Sequence, residues 1–183
     1  MAQATQTKTV KSGDGMQMKN AMDLLIHELS DMRSAEGIIL GMLKTAAGAA
    51  TNADLKKGLE KHREQTQGHL ENVDAAFKAM GMQPHEVECK GAKGLLEELK
   101  EAIEAKPAPE VLDLMIAGGA AKTENYEICA YTGMVDLAKL LGEKEAEKLL
   151  SANLKQEEET LKKVEEIEET LSKKLPVPAS SKR

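Results

Sequence analysis

The sequence predicts an all-α protein, a bundle of four long helices in which a long crossover carries a short fifth helix. Four stretches of the 183-residue chain place apolar residues at alternating three- and four-residue steps, the spacing of one buried helix face. Residues that cap or end helices stand at the boundaries of these stretches. Aromatic residues make up only 2% of the chain, so aliphatic side chains and ten methionines must pack the core.

The first two long helices are predicted to form a tight hairpin. Asn20 is suited to cap the first helix, which we expect to end near Gly48. Asn52 is suited to cap the second helix, which Gly81 followed by Pro84 should end. The few residues between Gly48 and Asn52 leave room only for a short turn.

A long connection, residues 82–107, follows this hairpin and contains an amphipathic segment, residues 92–105, which predicts the short fifth helix. Pro109 suits the first turn of the third long helix, and Gly142 should end it. The fourth long helix is predicted over residues 143–174. Two tight hairpins joined by a long crossover are the connectivity of a ferritin-like bundle.

Three parts of the chain follow from these boundaries. Residues 1–19 are predicted to be a disordered lead, and residues 20–174 the ferritin-like helical bundle. Residues 175–183 contain two prolines and a Ser/Lys/Arg end, which predicts a disordered tail.

Each long apolar face is interrupted by acidic residues or histidine. These residues are Glu36 in the first long helix, His62 in the second, Glu124 and Glu127 in the third, and Glu157 in the fourth. An unpaired carboxylate in a low-dielectric core costs several kcal/mol, and no lysine or arginine stands on these faces at the same level. Two divalent cations would balance the four carboxylates, and oxygen and imidazole ligands suit iron or manganese. The pattern therefore predicts a site for two metal ions.

The heights of these residues in the bundle can be compared by counting from the hairpin turns. Counted in this way, Glu36 is level with His62 and Glu127 is level with Glu157, each to about one residue, or ~1.5 Å of helix rise. His69 lies seven residues after His62, ~10 Å along the axis. We therefore interpret His69 as a secondary polar or channel residue rather than a ligand.

Composition argues against two classes of function. The formal net charge is −6, and lysines are mixed with glutamates rather than gathered on a basic face, which argues against binding to nucleic acid. No apolar run approaches the ~20 residues that cross a bilayer, and the polar N-terminus has no signal-peptide core. A cytoplasmic protein is expected. Cys89 and Cys129 are too few for a disulfide framework, and we expect reduced thiols, Cys129 being buried and inert.

Four segments of the sequence resemble the bacterial YciE/YciF family of ferritin-like stress proteins. They are LLIHELSDMRSAEGIIL (24–40), HREQTQGHLENVD (62–74), ECKGAKGLLEEL (88–99) and KTENYEICAYTGM (122–134). The resemblance covers about residues 20–172. It implies a four-helix ferritin-like fold with an additional helix, a homodimer, and a carboxylate-bridged site for two metals. By motif match, the candidate ligands are Glu36, His62, Glu124, Glu127 and Glu157.

The sequence departs from this family pattern at two positions. Members of the family commonly carry Glu where this chain has Gln65 and Gln156, so one of the two metals is expected to bind weakly. The fourth long helix also has Thr160 where a second donor would be expected. Tyr131 is interpreted as a core aromatic in preference to a redox-active neighbour of the site.

The leading functional hypothesis is a cytoplasmic protein that uses two metals, iron or manganese, to react with dioxygen or peroxide during stress. Bridging carboxylates, for which Glu36 and Glu127 are candidates, would hold the metals about 3.5–4 Å apart. His62 would be a terminal ligand, and Gln65 a hydrogen-bond donor to the oxidant. The alternative is a metal-binding or metal-free helical interaction module without turnover. Iron storage in a cage is a weaker third reading.

Overall fold

The structure, a computed structural model, describes residues 18–177 and consists there of five helices without strands. The helices are α1 (Ala21–Ala49), α2 (Ala53–Ala79), α3 (Lys90–Glu104), α4 (Pro109–Leu141) and α5 (Lys144–Ser172). The predicted all-α fold with a short fifth helix in the crossover is confirmed. The disorder predicted for residues 1–19 and 175–183 concerns positions that lie almost entirely outside the described residues.

The predicted capping residues account for most helix boundaries. The side chain of Asn20 accepts the backbone N–H of Asp23, and Asn52 accepts those of Asp54 and Leu55. Gly142 ends α4 with a φ of 73°, a left-handed conformation that glycine adopts without strain. Helix α3 has a cap that the sequence did not predict, because the Cys89 sulfur accepts the N–H of Ala92 at 3.4 Å.

The four long helices pack in a ring, α1 against α2, α2 against α5, α5 against α4, and α4 against α1. Helix α3 lies outside this ring and contacts α1 and α4. One continuous apolar core runs through the bundle, with residues such as Leu25, Ile39, Leu59 and Leu150 at its centre. Among the described residues, none of the helices is both long and apolar enough to traverse a membrane.

Asp113 shows how the crossover orients the second half of the chain. This residue lies in the first turns of α4, and its buried carboxylate accepts the backbone N–H groups of Thr51 and Asn52 at 2.7 and 2.9 Å and the Thr51 hydroxyl at 2.6 Å. Thr51 and Asn52 precede α2, so α2 and α4 begin at the same end of the bundle. The crossover therefore carries the chain from the end of the bundle where α2 stops back to the end where α2 began, as the predicted connectivity requires.

Candidate metal centre

Six acidic and histidine side chains converge inside the ring of long helices. None is more than 3% exposed to solvent. They are Glu36 from α1, His62 and His69 from α2, Glu124 and Glu127 from α4, and Glu157 from α5. All five residues predicted as ligands from the sequence are therefore brought into one region of the core, together with His69.

The six residues form two overlapping clusters. In the first cluster, His62, Glu124, Glu127 and Glu157 each offer a ligand atom, and these atoms all lie within 4.8 Å of one another. In the second cluster, Glu36, His69 and Glu157 satisfy the same criterion. Glu157 belongs to both clusters, and its two oxygens face different histidines.

The contacts of Glu157 define the geometry of the centre. One oxygen, Oε1, lies 2.7 Å from Nδ1 of His69, and the other, Oε2, lies 3.6 Å from Nε2 of His62. The same His62 nitrogen is 3.1 Å from Oε1 of Glu124, and the His69 Nδ1 is 3.9 Å from Oε1 of Glu36. A carboxylate in this position can bridge two ions held by the two clusters.

His69, interpreted from the sequence as a secondary polar or channel residue, lies among the clustered side chains in the structure. The backbone separation of seven residues corresponds to ~10 Å along the axis, but the two imidazole rings are only 6.3 Å apart. Glu36 lies 13 residues before the end of α1, whereas His62 and His69 lie 9 and 16 residues after the start of α2. Glu36 is thus between the two histidines in height, and its ligand atom groups with His69 rather than with His62.

Many donor atoms of the two clusters have no hydrogen-bond partner. Both oxygens of Glu127 and both of Glu157 are buried without one, as are Oε2 of Glu36 and Oε2 of Glu124. Both ring nitrogens of His62 and Nδ1 of His69 are also buried without a hydrogen-bond partner, because their close contacts with carboxylates lack hydrogen-bond geometry. Buried polar atoms are normally paired. The donors present therefore fit a divalent metal ion in each cluster, with carboxylate and imidazole ligands.

No buried lysine or arginine compensates the carboxylates within residues 18–177. Arg33 and Lys122, which lie within three residues of Glu36 and Glu124, point elsewhere, since Arg33 pairs with Asp74 and Lys122 with Glu98 at the surface. The negative charge of the clusters can therefore be balanced only by cations or by protons.

The protein's own groups shift the pKa values of the carboxyls in different directions. Burial, assisted by the charge of Glu157, raises the pKa of Glu36 to about 8. Burial raises the pKa of Glu124 to about 7 against the opposing effect of His62, and raises that of Glu127 well above its ordinary value. Burial also acts on Glu157, but its contacts with His69 and His62 outweigh it and lower its pKa.

The two histidines respond to the same carboxylates. Burial opposes their protonation, but the pKa of His62 is raised by Glu124 and Glu157, and that of His69 by Glu157 and Glu36. Without metal, protons on the histidines and on the carboxyls of raised pKa can neutralise the centre. A metal ion would therefore compete with protons for the same atoms.

A hydrogen-bonded chain supports the second cluster. The Tyr131 hydroxyl donates to Oε1 of Glu36, and Asn153 donates to the Tyr131 oxygen at 3.0 Å and to the His69 carbonyl at 3.1 Å. Asn72 in turn donates to the Asn153 oxygen at 2.7 Å. Tyr131 is fully buried, as expected of a core aromatic, but its hydroxyl also orients a carboxylate of the centre.

Gln156 and Gln65 lie beside the second cluster. Oε1 of Gln156 is 3.1 Å from Nε2 of His69 and 3.4 Å from Nε2 of Gln65. A hydrogen on Nε2 of His69 leaves the lone pair of its Nδ1 directed toward Glu157. Gln156 can thus set the tautomer and orientation of His69, as outer partners of metal-binding histidines do.

The expectation that Cys129 is a buried thiol was wrong, because this residue is exposed. Cys129 follows Glu127 by two residues, which places it about 200° around the helix from that carboxylate. The buried cysteine is Cys89, and both are free thiols.

The fold and the centre define a class of protein, namely a helical bundle whose interior holds a carboxylate- and histidine-rich group that could bind metal. A family model described as "Domain of unknown function (DUF892)" matches residues 20–175, and the chain belongs to this family. The resemblance identified in the sequence is thereby confirmed.

Known proteins with a similar sequence or structure support this assignment. Protein YciF of Escherichia coli (strain K12) is 36% identical over 146 residues, which cover 79% of this chain and 88% of that protein. The crystal structure of the E. coli stress protein YciF superposes with a TM-score of 0.84 and 33% identity, covering 86% of this chain and 100% of that one. For YcfI from Rhodopseudomonas palustris the TM-score is 0.80 and the identity 33%, with 84% and 98% covered.

Proposed function

We propose that this protein binds two divalent metal ions, iron or manganese, and reacts with dioxygen or peroxide as part of a cytoplasmic stress response. The observation that carries the proposal is the pair of buried clusters that share Glu157 and leave nine donor atoms without a hydrogen-bond partner. Such metals supply Lewis acidity and one-electron redox chemistry toward small oxygen compounds.

The two clusters are expected to differ in affinity. The first cluster provides three carboxylates and one imidazole, whereas the second provides two carboxylates and one imidazole. The Glu157 carboxylate is counted in both clusters. The second cluster is flanked by the uncharged Gln156, at a position where the family commonly has Glu. The first cluster is therefore the tight site and the second the weak one. In this arrangement Glu157 takes the bridging role that the sequence pattern assigned to Glu36 and Glu127.

A narrow passage between α2, α4 and α5 supports the proposal that the oxidant is a small molecule. It has a volume of about 50 Å³, is lined by Gln65, His62 and Glu124, and is flanked by Lys61 and Lys163. A water molecule needs roughly 10–15 Å³ of such space, so a molecule of the size of dioxygen or hydrogen peroxide fits and a larger organic oxidant does not. Gln65 is placed to donate a hydrogen bond within this passage.

The stress role and the assembly rest on separate observations. The E. coli relative of known structure is described as a stress protein, and the two chains share fold and family.

A groove between α1 and α4, lined by Leu24, Met32, Tyr126 and Leu137, carries apolar side chains at the surface. This face is the one that we expect to form the homodimer.

Elemental analysis of protein purified without chelator tests the proposal. We expect up to two iron or manganese ions per chain, and a Glu127→Gln variant should lose at least one. Glu110→Gln, which removes an exposed carboxylate from the first turn of the same helix, is the matched control and should retain the wild-type content. Absence of bound metal in the wild type, even after anaerobic reconstitution with ferrous or manganous ion, would refute the proposal.

One observation favours the alternative, a helical interaction module without turnover. The raised pKa values of Glu36 and Glu124, about 8 and about 7, allow protons to neutralise much of the centre at neutral pH. In that case the buried polar groups would serve to specify the packing of the four helices. The same elemental analysis identifies the metal-free form of this module, which would fold without binding metal, and a metal-binding form would be recognised by the absence of reaction with dioxygen or peroxide.

A further inference from the structure

A second cavity also reaches Glu124. It lies between α1, α2, α3 and α4, has a volume of about 260 Å³, and is walled mainly by apolar side chains. Met42 and Leu59 line it from α1 and α2, and Leu95 and Leu99 line it from α3. Because α3 belongs to the crossover, this apolar cavity exists only where the crossover packs back onto the bundle.

The apolar cavity connects solvent with the candidate metal centre. At its outer side lie Glu98 and Lys122, which form a salt bridge of 2.7 Å and are 61% and 62% exposed. At its inner side lies Glu124, which is buried and whose Oε2 has no hydrogen-bond partner. A molecule in the cavity would therefore contact a carboxylate of the first cluster.

The part of α4 that walls this space contains two glycines and an exposed methionine. Gly118 and Gly119 stand in the interior of the 33-residue helix α4, where glycine destabilises a helix relative to alanine. A Cβ atom added at Gly119 would meet nothing within 4 Å, so no close neighbour requires glycine at this position. Met115, which we expected in the core, is 45% exposed and also lines the cavity.

The lining selects the charge of an occupant. Lys122 is already paired with Glu98, and the Thr123 hydroxyl donates to the carbonyl of Gly119, so neither is free for a charged ligand. The unpaired atom at the inner side is Oε2 of Glu124, which repels an anion when the group is ionised, and the mainly apolar walls disfavour the burial of any charge. The volume exceeds the roughly 150 Å³ of an apolar cavity that holds benzene.

We propose that the apolar cavity binds an uncharged organic molecule with an apolar body, of about the size of a single-ring hydrocarbon or an alkyl chain of similar volume. The cavity places this molecule beside Glu124, which lines its inner side. Any influence of this molecule on the metal centre rests on the proposed function. The binding itself requires no metal.

Methionine methyl resonances offer a direct test on the full-length, metal-free protein. Met42 and Met115 line the apolar cavity, whereas Met32 and Met134 line the groove between α1 and α4 and serve as internal references. In protein labelled with [methyl-¹³C]methionine, toluene should produce saturable shifts of Met42 and Met115 and leave Met32 and Met134 in place. Benzoate, which has the same ring with a negative charge, should produce none in the same concentration range.

A cavity-filling variant provides a second test. Gly119→Leu should fill the space and weaken toluene binding at least tenfold, while helical circular dichroism is maintained. Gly41→Leu is the matched control, because Gly41 is an exposed glycine inside α1 whose added Cβ also meets nothing within 4 Å. It should bind toluene as the wild type does.

Three results would overturn the proposal. They are an absence of saturable shifts at Met42 and Met115 in the wild type, equal shifts at all four methionines, and binding of benzoate as strong as that of toluene. Because the titration uses metal-free protein, its failure leaves the metal-binding proposal untouched. Conversely, failure of metal binding would leave the cavity assignment standing without any influence on a metal centre.

Discussion

His69 and Glu157 come from helices on neighbouring sides of the ring, and Nδ1 of the histidine lies 2.7 Å from Oε1 of the carboxylate. Gln156, the residue before Glu157, contacts the other ring nitrogen of His69 at 3.1 Å. Two consecutive residues of α5 thus fix the orientation of one imidazole. The imidazole of the second cluster is therefore held in one orientation by contacts to both of its ring nitrogens.

We predict that His69→Gln removes the weaker metal and leaves the tighter one. The second cluster then retains only Glu36 and the shared Glu157, while the first cluster keeps all four of its donors. Metal content should fall from two ions per chain to one. His27→Gln, which removes a partly buried histidine of α1, is the control and should not change the content. Equal loss of both ions from His69→Gln would contradict two separable sites.

Glu127→Gln should have opposite effects on metal binding and on the stability of the apo-protein. Its carboxyl group is buried without any hydrogen-bond partner, and burial raises its pKa well above the ordinary value. Glutamine has nearly the same shape and cannot ionise, so the substitution removes the repulsion between Glu127 and the neighbouring carboxylates, and the free energy of unfolding of the apo-protein should hold or rise. Urea titration with chelator present measures this, and a marked loss of stability would show that Glu127 has a structural role instead. Glu36→Ala should likewise lose metal and keep its helical circular dichroism.

Stability without metal should fall as the pH rises from about 5 to 8. The folded-state pKa values of Glu36 and Glu124, about 8 and about 7, lie above the ordinary value of 4.5, so in this range the folded chain holds protons that the unfolded chain has released. A group of raised pKa favours folding at low pH and loses that contribution as the pH passes its folded value, by about 1.4 kcal/mol per pH unit at most. The raised pKa values of His62 and His69 act in the same direction above their ordinary value of 6.5.

Bound metal should reverse this trend, because ligand deprotonation favours metal binding. Thermal melts of apo- and metal-loaded protein at pH 5.5 and 7.5 provide the comparison. Parallel behaviour of the two forms would mean that the acidic residues do not surround a metal.

Gln156→Glu and Gln65→Glu should tighten the weaker metal. Gln156 contacts His69 directly and Gln65 contacts Gln156, so either substitution adds negative charge beside the second cluster. Outer partners of metal ligands commonly change affinity by about 10–100-fold, and we expect a gain near the lower end of that range. Competition with a chromophoric chelator measures it. Gln67→Glu adds the same charge on the exposed side of α2 and should leave the affinity unchanged.

Asp113→Asn should destabilise the bundle without changing its metal content. The buried carboxylate accepts three hydrogen bonds from Thr51 and Asn52, and an amide cannot accept all of them. These hydrogen bonds are partly buried, and a hydrogen bond to a charged group contributes about 1.5–3 kcal/mol. Urea unfolding should show this loss, whereas Asp136→Asn, at an exposed position of the same helix, should remain within about 0.5 kcal/mol of wild type.

The fold could be predicted because its signals are local. Asn20, Asn52, Pro109 and Gly142 act on the helix ends next to them, and the 3.6-residue periodicity needs no knowledge of the partner helices. Helix boundaries were predicted within about two residues for this reason. The position of Asp113 against the α1–α2 turn had no such signal, since the contact joins residues 62 positions apart.

The site was predicted less completely because side chains extend away from their backbone heights. Counting residues from the turns brought Glu127 and Glu157 together correctly, but it separated His69 from a carboxylate that it contacts. Two histidines seven residues apart share one helix face, and that spacing was the signal that could have placed both near one centre. The apolar cavity could not be predicted, since it depends on how closely α3 approaches the bundle.

The contact between Asp113 and the turn before α2 also bears on the order of folding. The hairpin of α1 and α2 can form from neighbouring residues, but this contact closes a loop that contains all of α2, the crossover and α3. The entropy of closing that loop must be lost before the buried hydrogen bonds are gained. Folding rates decrease as the mean sequence separation of native contacts increases. This bundle should therefore reach its native state more slowly than an up-and-down bundle of equal length, with assembly of the two hairpins as the slow step.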